Sequence, residues 1–209
     1  MKSKVLLIDT EAGNIPSVLR ALSLHDCEVR ISNSNNAFAS ADALVLPGVG
    51  AFPQFMKNLA DFELTADLKN FVSSGGHLLG ICVGMQAFSR GSEEFEFTNG
   101  LGVTSSIVSN LNSLGVKRAR VPHVGWNLVH LSDGLHLTHP LKAIVNRHVY
   151  FMHSFAFPLT TVGSVGSTDY EIKFCSAIQI RNAIGVQFHP EKSHKVGFDF
   201  FAKWISHVK

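Results

Sequence analysis

The chain has 209 residues, of which 45% are hydrophobic and 16% charged, with a formal net charge of +2. That balance, with no basic block and no aromatic residues interleaved with arginines, excludes an electrostatic grip on nucleic acid, and the length suits one domain, residues 1–209, with a sizeable core. Cys27, Cys82 and Cys175 are odd in number and lack a CxxC spacing, which argues against a disulfide framework or a zinc site and for a reducing cytoplasm.

The start, MKSKVLLIDTEAG, has basic residues and then a short apolar run that Asp9 and Glu11 interrupt. It reads as a first core strand, Val5 to Ile8, and not as a signal peptide or membrane span, so no membrane partner is expected. Gly13-Asn14-Ile15-Pro16-Ser17 opens a helix with Val18, Leu19, Leu22 and Leu24 on one side, giving a βα unit. A short strand follows at Glu28 to Ile31, then a polar loop in which Asn35 and Asn36 are turn formers before they are ligands. Ala43 to Leu46 is a buried-type strand ending in Pro47-Gly48-Val49-Gly50-Ala51-Phe52, a tight strand-to-helix turn. Phe55 to Ser74 carries Phe55, Leu59, Phe62, Leu68, Phe71 and Val72 at helical spacing and closes on Gly75-Gly76, which predicts one long helix.

The stretch HLLGICVGMQ, His77 to Gln86, then reads as strand, sharp turn and an amphipathic helix over Met85 to Ser89, with Cys82 at the apex. Gly80 and Gly84, at i−2 and i+2, remove the Cβ atoms that would clash in such a turn. A thiol at a helix N-terminus faces unpaired N–H groups, which favours the thiolate. Gln86, four residues on, is directed to the same mouth.

Ser92 to Asn99 reads as an exposed acidic loop. From Gly100 to Leu137 the pattern turns to short β-type runs (Gly102-Val103, Ser106 to Val108, Asn127 to Leu131). His123 in this region invites a metal or base assignment, yet no second ligand has useful spacing, so a structural histidine is the expectation. Val149 to Phe155 is strand-like and holds His153, a competitor for the role of base that lacks a carboxylate two residues on. Phe174 to Ile180 is another strand, with Cys175 buried in it and a hairpin turn at Arg181-Asn182. In GVQFHPEKS, Gly185 to Ser193, alternation along an extended segment puts His189 and Glu191 on one side. An imidazole accepts a thiol's proton and returns it to a leaving amine, and a carboxylate fixes the imidazole's tautomer and stabilises its cation. The last helix, 196–208, is expected to bury Phe198, Phe201, Ile205 and Trp204.

GICVGMQ and GVQFHPEKS together resemble the nucleophile elbow and His-x-Glu motif of class I glutamine amidotransferases. VLPGVGAF (45–52), VPHVGWN (121–127) and YFMHSF (150–155) are similar to the glutaminase subunits of imidazole glycerol phosphate synthases within that class. The likeness runs from Val5 to the C-terminus. It implies a flavodoxin-like α/β fold: a central, mostly parallel sheet flanked by helices, with a smaller β-rich part in the second half. It further implies hydrolysis of glutamine by Cys82, His189 and Glu191, with no metal and no cofactor. Glutamine is expected near Gly50, Gln86, Ser154 and Phe155, and the oxyanion near the N–H groups of Val83 and Val49. Rotatable peptide units around Val49 suggest that its donor is misaligned until a partner is loaded. The implied partner is a (β/α)₈ cyclase subunit, forming a heterodimer through a face that includes Asn14, Trp126 and Lys192, with ammonia passed between the subunits.

The segment Asp9-Thr10-Glu11-Ala12-Gly13-Asn14 lacks the aromatic residue and first glycine usual in that family. This keeps open a paralogous subunit that supplies ammonia for amidation of a surface-polysaccharide sugar. A non-catalytic relative is expected to lose one of the three key residues, and all three are present; a cysteine peptidase or esterase of similar architecture is a further alternative.

Overall fold

The first half of the chain alternates strand and helix: β1 (Ser3–Ile8), α1 (Ile15–Leu22), β2 (Cys27–Ser32), β3 (Ala43–Gly48), α2 (Phe52–Asp61), α3 (Leu64–Ser73), β4 (His77–Cys82) and the single-turn α4 (Val83–Gln86). The second half is mainly strand: β5 (Gly91–Ser92), β6 (Thr98–Asn99), β7 (Ile107–Asn110), a short α5 (Leu111–Leu114), β8 (His123–Leu128), β9 (His130–Leu131), β10 (His148–His153), β11 (Phe155–Pro158), β12 (Ser164–Tyr170), β13 (Ile172–Ile180) and β14 (Ala183–Val186). Helix α6 (His194–Val208) follows. This computed structural model describes residues 2–208.

Strands β2, β1, β3, β4 and β14 lie side by side in that order, and all four pairings are parallel. Parallel strands covered on both faces need continuous apolar runs, and β1, β3 and β4 supply them: Leu6, Leu7, Ile8, Leu44, Val45, Leu46, Leu78 and Leu79 are all buried. The strand order reverses at β1, so right-handed crossovers carry α1 to one face and α2 and α3 to the other. Helix α6 packs beside α1. Beyond β14 the sheet continues antiparallel through β13, with β11 and β12 both pairing to it, while β8 and β10 form a separate two-stranded sheet. The flavodoxin-like arrangement with a β-rich second half is therefore present. No helix among the described residues is long and apolar enough to cross a membrane.

Several local expectations change. The single helix predicted over Phe55 to Ser74 is two helices, broken at Phe62 and at Glu63, which adopts a left-handed φ of 57°. After Leu59 the next deeply buried side chain is Leu64, five residues on. A continuous helix cannot keep that step on one face, so the chain restarts. Leu24 lies past the end of α1 and is 65% exposed. In α6 the buried stripe is Gly197, Phe200, Phe201, Trp204 and Ile205; Phe198 sits one residue off it, 41% exposed, with its ring 4.3 Å from that of His25. Gly102-Val103 lies outside any strand, with a bend beginning at Val103, because Leu101 and Gly102 turn their N–H groups to the carbonyls of Ala87 and Ser89.

Candidate active site

Strand β4 ends on Cys82 at φ 54° and ψ −110°, a conformation that costs a non-glycine residue about 1–3 kcal/mol. The strain is tied to a turn that takes the chain from strand directly into α4. A Cβ on Gly84 would sit 1.8 Å from the carbonyl oxygen of Leu46, so the glycine bracket is a steric requirement of wedging α4 against β3. Helix α4 has one turn, and everything from Val83 to Ser89 is buried, so the amphipathic helix expected over Met85 to Ser89 is absent. The segment is enclosed against β3 and β14, which leaves no solvent face to be polar. A single turn also supplies little dipole, so the expected electrostatic help from a helix N-terminus is small.

Strand β14 stops at Val186, four residues short of Pro190. The Glu191 carboxylate reaches His189 through a 3₁₀ turn, Pro190–Lys192, and not by alternation along an extended strand. Proline at the first position of the turn presets its φ, and Ser193 Oγ donates back to the His189 carbonyl at 2.7 Å. His189 Nδ1 lies 2.8 Å from Glu191 Oε1, with both side chains 1% exposed. Burial pushes the His189 pKa down, but the charge on the Cys82 sulfur and then Glu191 push it further up, to about 10. Nε2 of His189 has no hydrogen-bond partner of ordinary geometry among the described residues. The Cys82 sulfur acts on the ring by its charge and by a contact that lies outside ordinary hydrogen-bond geometry.

A pocket of about 180 Å³ gathers Cys82 and His189 with Val49, Gly50, Val83, Gln86, Ser154 and Phe155, every pocket residue expected from the sequence except Glu191, which lies behind His189. The Val49 N–H donates to the carbonyl of Ala12 at 2.7 Å, so it is engaged by the 9–14 loop. Asn14, Trp126 and Lys192 do not line this pocket. Asn14 begins α1, Trp126 is 45% exposed and stacked 5.2 Å from His194, and the Lys192 ammonium lies 5.9 Å from the ring of Tyr150.

The Glutamine amidotransferase class-I profile matches residues 6–204, nearly the whole chain. The chain belongs to the class-I glutamine amidotransferase family. The imidazole glycerol phosphate synthase subunit HisH 1 of Legionella pneumophila (strain Lens) is 40% identical over 210 residues, covering 97% of this chain and 99% of that one. The HisH subunit of Listeria monocytogenes (strain EGD-e) is 34% identical, covering 93% and 91%. A crystallised glutamine amidotransferase with 17% identity superimposes with a TM-score of 0.72 over 96% of this chain and 98% of that one, which is a likeness of fold.

Within this amidotransferase, three pocket-lining residues and one buried neighbour of Cys82 escape a reading of the sequence. Gln187 lies in the GVQFHPEKS motif but carries no expectation there, and it is fully buried with Nε2 3.6 Å from Cys82 Sγ. Glu94 lies in the segment read as an exposed loop, yet it lines the pocket and accepts the N–H of Phe52 at 2.7 Å. Pro122 and Met152 complete the wall. His153 does lie in the pocket, but its Nε2 meets His123 Nδ1 at 3.0 Å and its Nδ1 meets the Phe155 carbonyl at 2.9 Å. His123 is accordingly structural, and no cluster of three metal-ligating side chains occurs among the described residues.

Proposed function

We propose that this chain is the glutaminase subunit of imidazole glycerol phosphate synthase, serving histidine biosynthesis. The observation that carries the reading is the strained Cys82 sharing a buried pocket with a His189 that is bonded to Glu191. In this reading residues 1–209 form one amidotransferase domain, acting in the cytoplasm without metal or cofactor. Cys82 Sγ attacks the side-chain amide carbon of glutamine. The His189 imidazolium gives its proton to the departing nitrogen and ammonia leaves. Water then adds to the glutamyl thioester as His189 takes its proton, the carbon–sulfur bond breaks with its electron pair on sulfur, and glutamate is released. Glu191 holds the ring in the tautomer that presents Nε2 to the reaction.

Gly50, Gln86, Ser154 and Phe155 surround glutamine, and the Glu94 carboxylate suits its α-ammonium. The oxyanion needs two donors, the N–H groups of Val83 and Val49. At rest the Val49 N–H is bound to Ala12, and Asn58 Nδ2 holds the adjacent Thr10 carbonyl at 2.7 Å, so the 9–14 loop acts as a latch on the second donor. Docking of a (β/α)₈ cyclase on the face that includes Asn14, Trp126 and Lys192 would shift this loop and free the amide. The ammonia passes to the cyclase, which makes imidazole glycerol phosphate and an aminoimidazole carboxamide ribotide.

The test is glutamate release by the isolated chain and by the chain with its cyclase and acceptor. The reading expects a large increase in the complex, and equal rates would remove the latch. Asn58→Ala is expected to raise the partner-free rate about fivefold, the equivalent of one lost hydrogen bond of roughly 1 kcal/mol. The altered Thr10-Glu11-Ala12 segment favours a second reading, an ammonia donor for a surface-sugar amidation. Assaying both acceptors separates the two, and the HisH names of the relatives support the first.

A further inference from the structure

The sulfur of Cys82 has two polar neighbours besides the coupled imidazole: the Met152 carbonyl at 4.0 Å and Nε2 of Gln187 at 3.6 Å. A carbonyl suits a thiol S–H, and an N–H suits a thiolate. Which end of the Gln187 amide faces sulfur is fixed by its surroundings. The Phe155 carbonyl can only accept, so the end of Gln86 lying 2.9 Å from it is the NH₂ group. That NH₂ group also faces Gln187 at 3.2 Å and so requires the Gln187 carbonyl there. The Gln187 NH₂ group is left facing sulfur. His153 Nδ1 donates to the same Phe155 carbonyl, and its Nε2 then accepts from His123 Nδ1, so the direction of every bond follows from one backbone oxygen.

We propose that Gln187 is a further catalytic residue of the glutaminase reaction: a buried, neutral N–H donor to the Cys82 sulfur that stabilises the thiolate. The proposal rests on the reading above and extends it to the atom that reacts. Gln187 is fully buried, so its side-chain N–H groups are shielded from solvent. Unlike His189 it has no proton to lose, so the donor persists after the imidazolium has protonated the leaving ammonia. When water opens the thioester, sulfur departs as an anion and meets a donor already in position, with no reorganisation at that moment. The single-turn α4 offers little dipole for this role, which leaves a side chain to fill it.

Two substitutions separate the contact to sulfur from the contact to Gln86. Gln187→Glu keeps an acceptor for Gln86 and removes the donor to sulfur, whereas Gln187→Leu removes both. Iodoacetamide alkylation of Cys82, followed by peptide mass spectrometry across pH, is expected to shift to higher pH by about one unit in both variants, the scale of one charge-assisted hydrogen bond. In the cyclase complex kcat for glutamine is expected to fall about tenfold by the same measure, with KM held in the Gln187→Glu variant and raised in Gln187→Leu. In the wild-type chain the NMR signal of the Gln187 side-chain amide protons is expected to titrate along the alkylation profile, a readout that needs no variant to fold. An unmoved alkylation profile in folded variants, a non-titrating amide signal, or a loss confined to KM would each overturn the proposal. Alkylation and the amide signal need no glutamine, so a chain that hydrolyses none would defeat the proposed function and leave this test standing.

Discussion

Two buried histidine pairs border the same pocket, and their electrostatics are opposite. His189 faces the Cys82 sulfur on the pocket side and the Glu191 carboxylate through Nδ1, and despite its burial its pKa rises to about 10. His153, 6% exposed, faces a backbone carbonyl through Nδ1 and a second imidazole through Nε2. Burial and then His123 drive its pKa down to about 3, and the bond to the Phe155 carbonyl only partly opposes them. His123, stacked 4.0 Å from the ring of Tyr170 and 4.8 Å from that of Phe151, is lowered to about 4 by burial. Depth therefore does not decide whether an imidazole carries a proton; the charge of its partner does. The Cys82 sulfur and, behind the ring, the Glu191 carboxylate raise the His189 pKa, whereas a neutral ring makes His153 a fixed strut that shares the Phe155 carbonyl with Gln86.

The widest separation between the pairs is expected in activity. His189→Asn should lower kcat for glutamine by roughly 10³-fold or more, while His123→Asn, which disturbs only the strut, should cost less than about tenfold. Comparable losses in steady-state kinetics of the complex would break the distinction. Glu191→Gln preserves the shape but removes the charge, and a loss of roughly 10²-fold in kcat is expected because the ring loses the partner that supports its cation. A rate within a few-fold of wild type would mean that sulfur alone sets the state of His189.

The smallest effect is in stability, and its sign differs between the pairs. The folded pKa of His189 lies above its ordinary 6.5, so its contribution is complete below pH 6.5 and lost as pH rises through about 10. That of His153 lies below 6.5, so the unfolded chain binds the proton first and stability falls as pH drops from 6.5 toward about 3, by on the order of 1 kcal/mol per pH unit. Urea melts across both windows are expected to show a maximum between them. Glu191→Gln should flatten the alkaline arm and His123→Asn the acid arm. Exchange of those two assignments would contradict the account.

What was legible in the sequence was what sterics or local spacing dictates. The elbow could be read because a strand cannot turn so sharply beside Leu46 without Gly84. The alternation of strand and helix in the first hundred residues pointed to an α/β fold, while the parallel sheet was implied by the family resemblance; the continuous apolar runs of β1, β3 and β4 are its physical reason. The His189–Glu191 contact was expected for an incorrect local reason: the residues meet across a 3₁₀ turn and not along a strand. What escaped was long-range. Gln187 meets Cys82 and Gln86 across about a hundred positions of chain, His123 meets His153 across 30, and Glu94 meets Phe52 across 42. None of these pairs has a spacing that distinguishes it from a surface polar residue. The restart at Glu63 was hidden because Phe62 sustains the apolar pattern through the break.

The central claim is that the Cys82 sulfur attacks glutamine with His189 as its proton partner. Treatment of the cyclase complex with a glutamine-like electrophile, followed by peptide mass spectrometry, tests it most directly. The account predicts a single adduct on Cys82 that excess glutamine prevents and that forms far more slowly in His189→Asn. A label elsewhere, no protection by glutamine, or glutamine hydrolysis persisting in Cys82→Ala would contradict it.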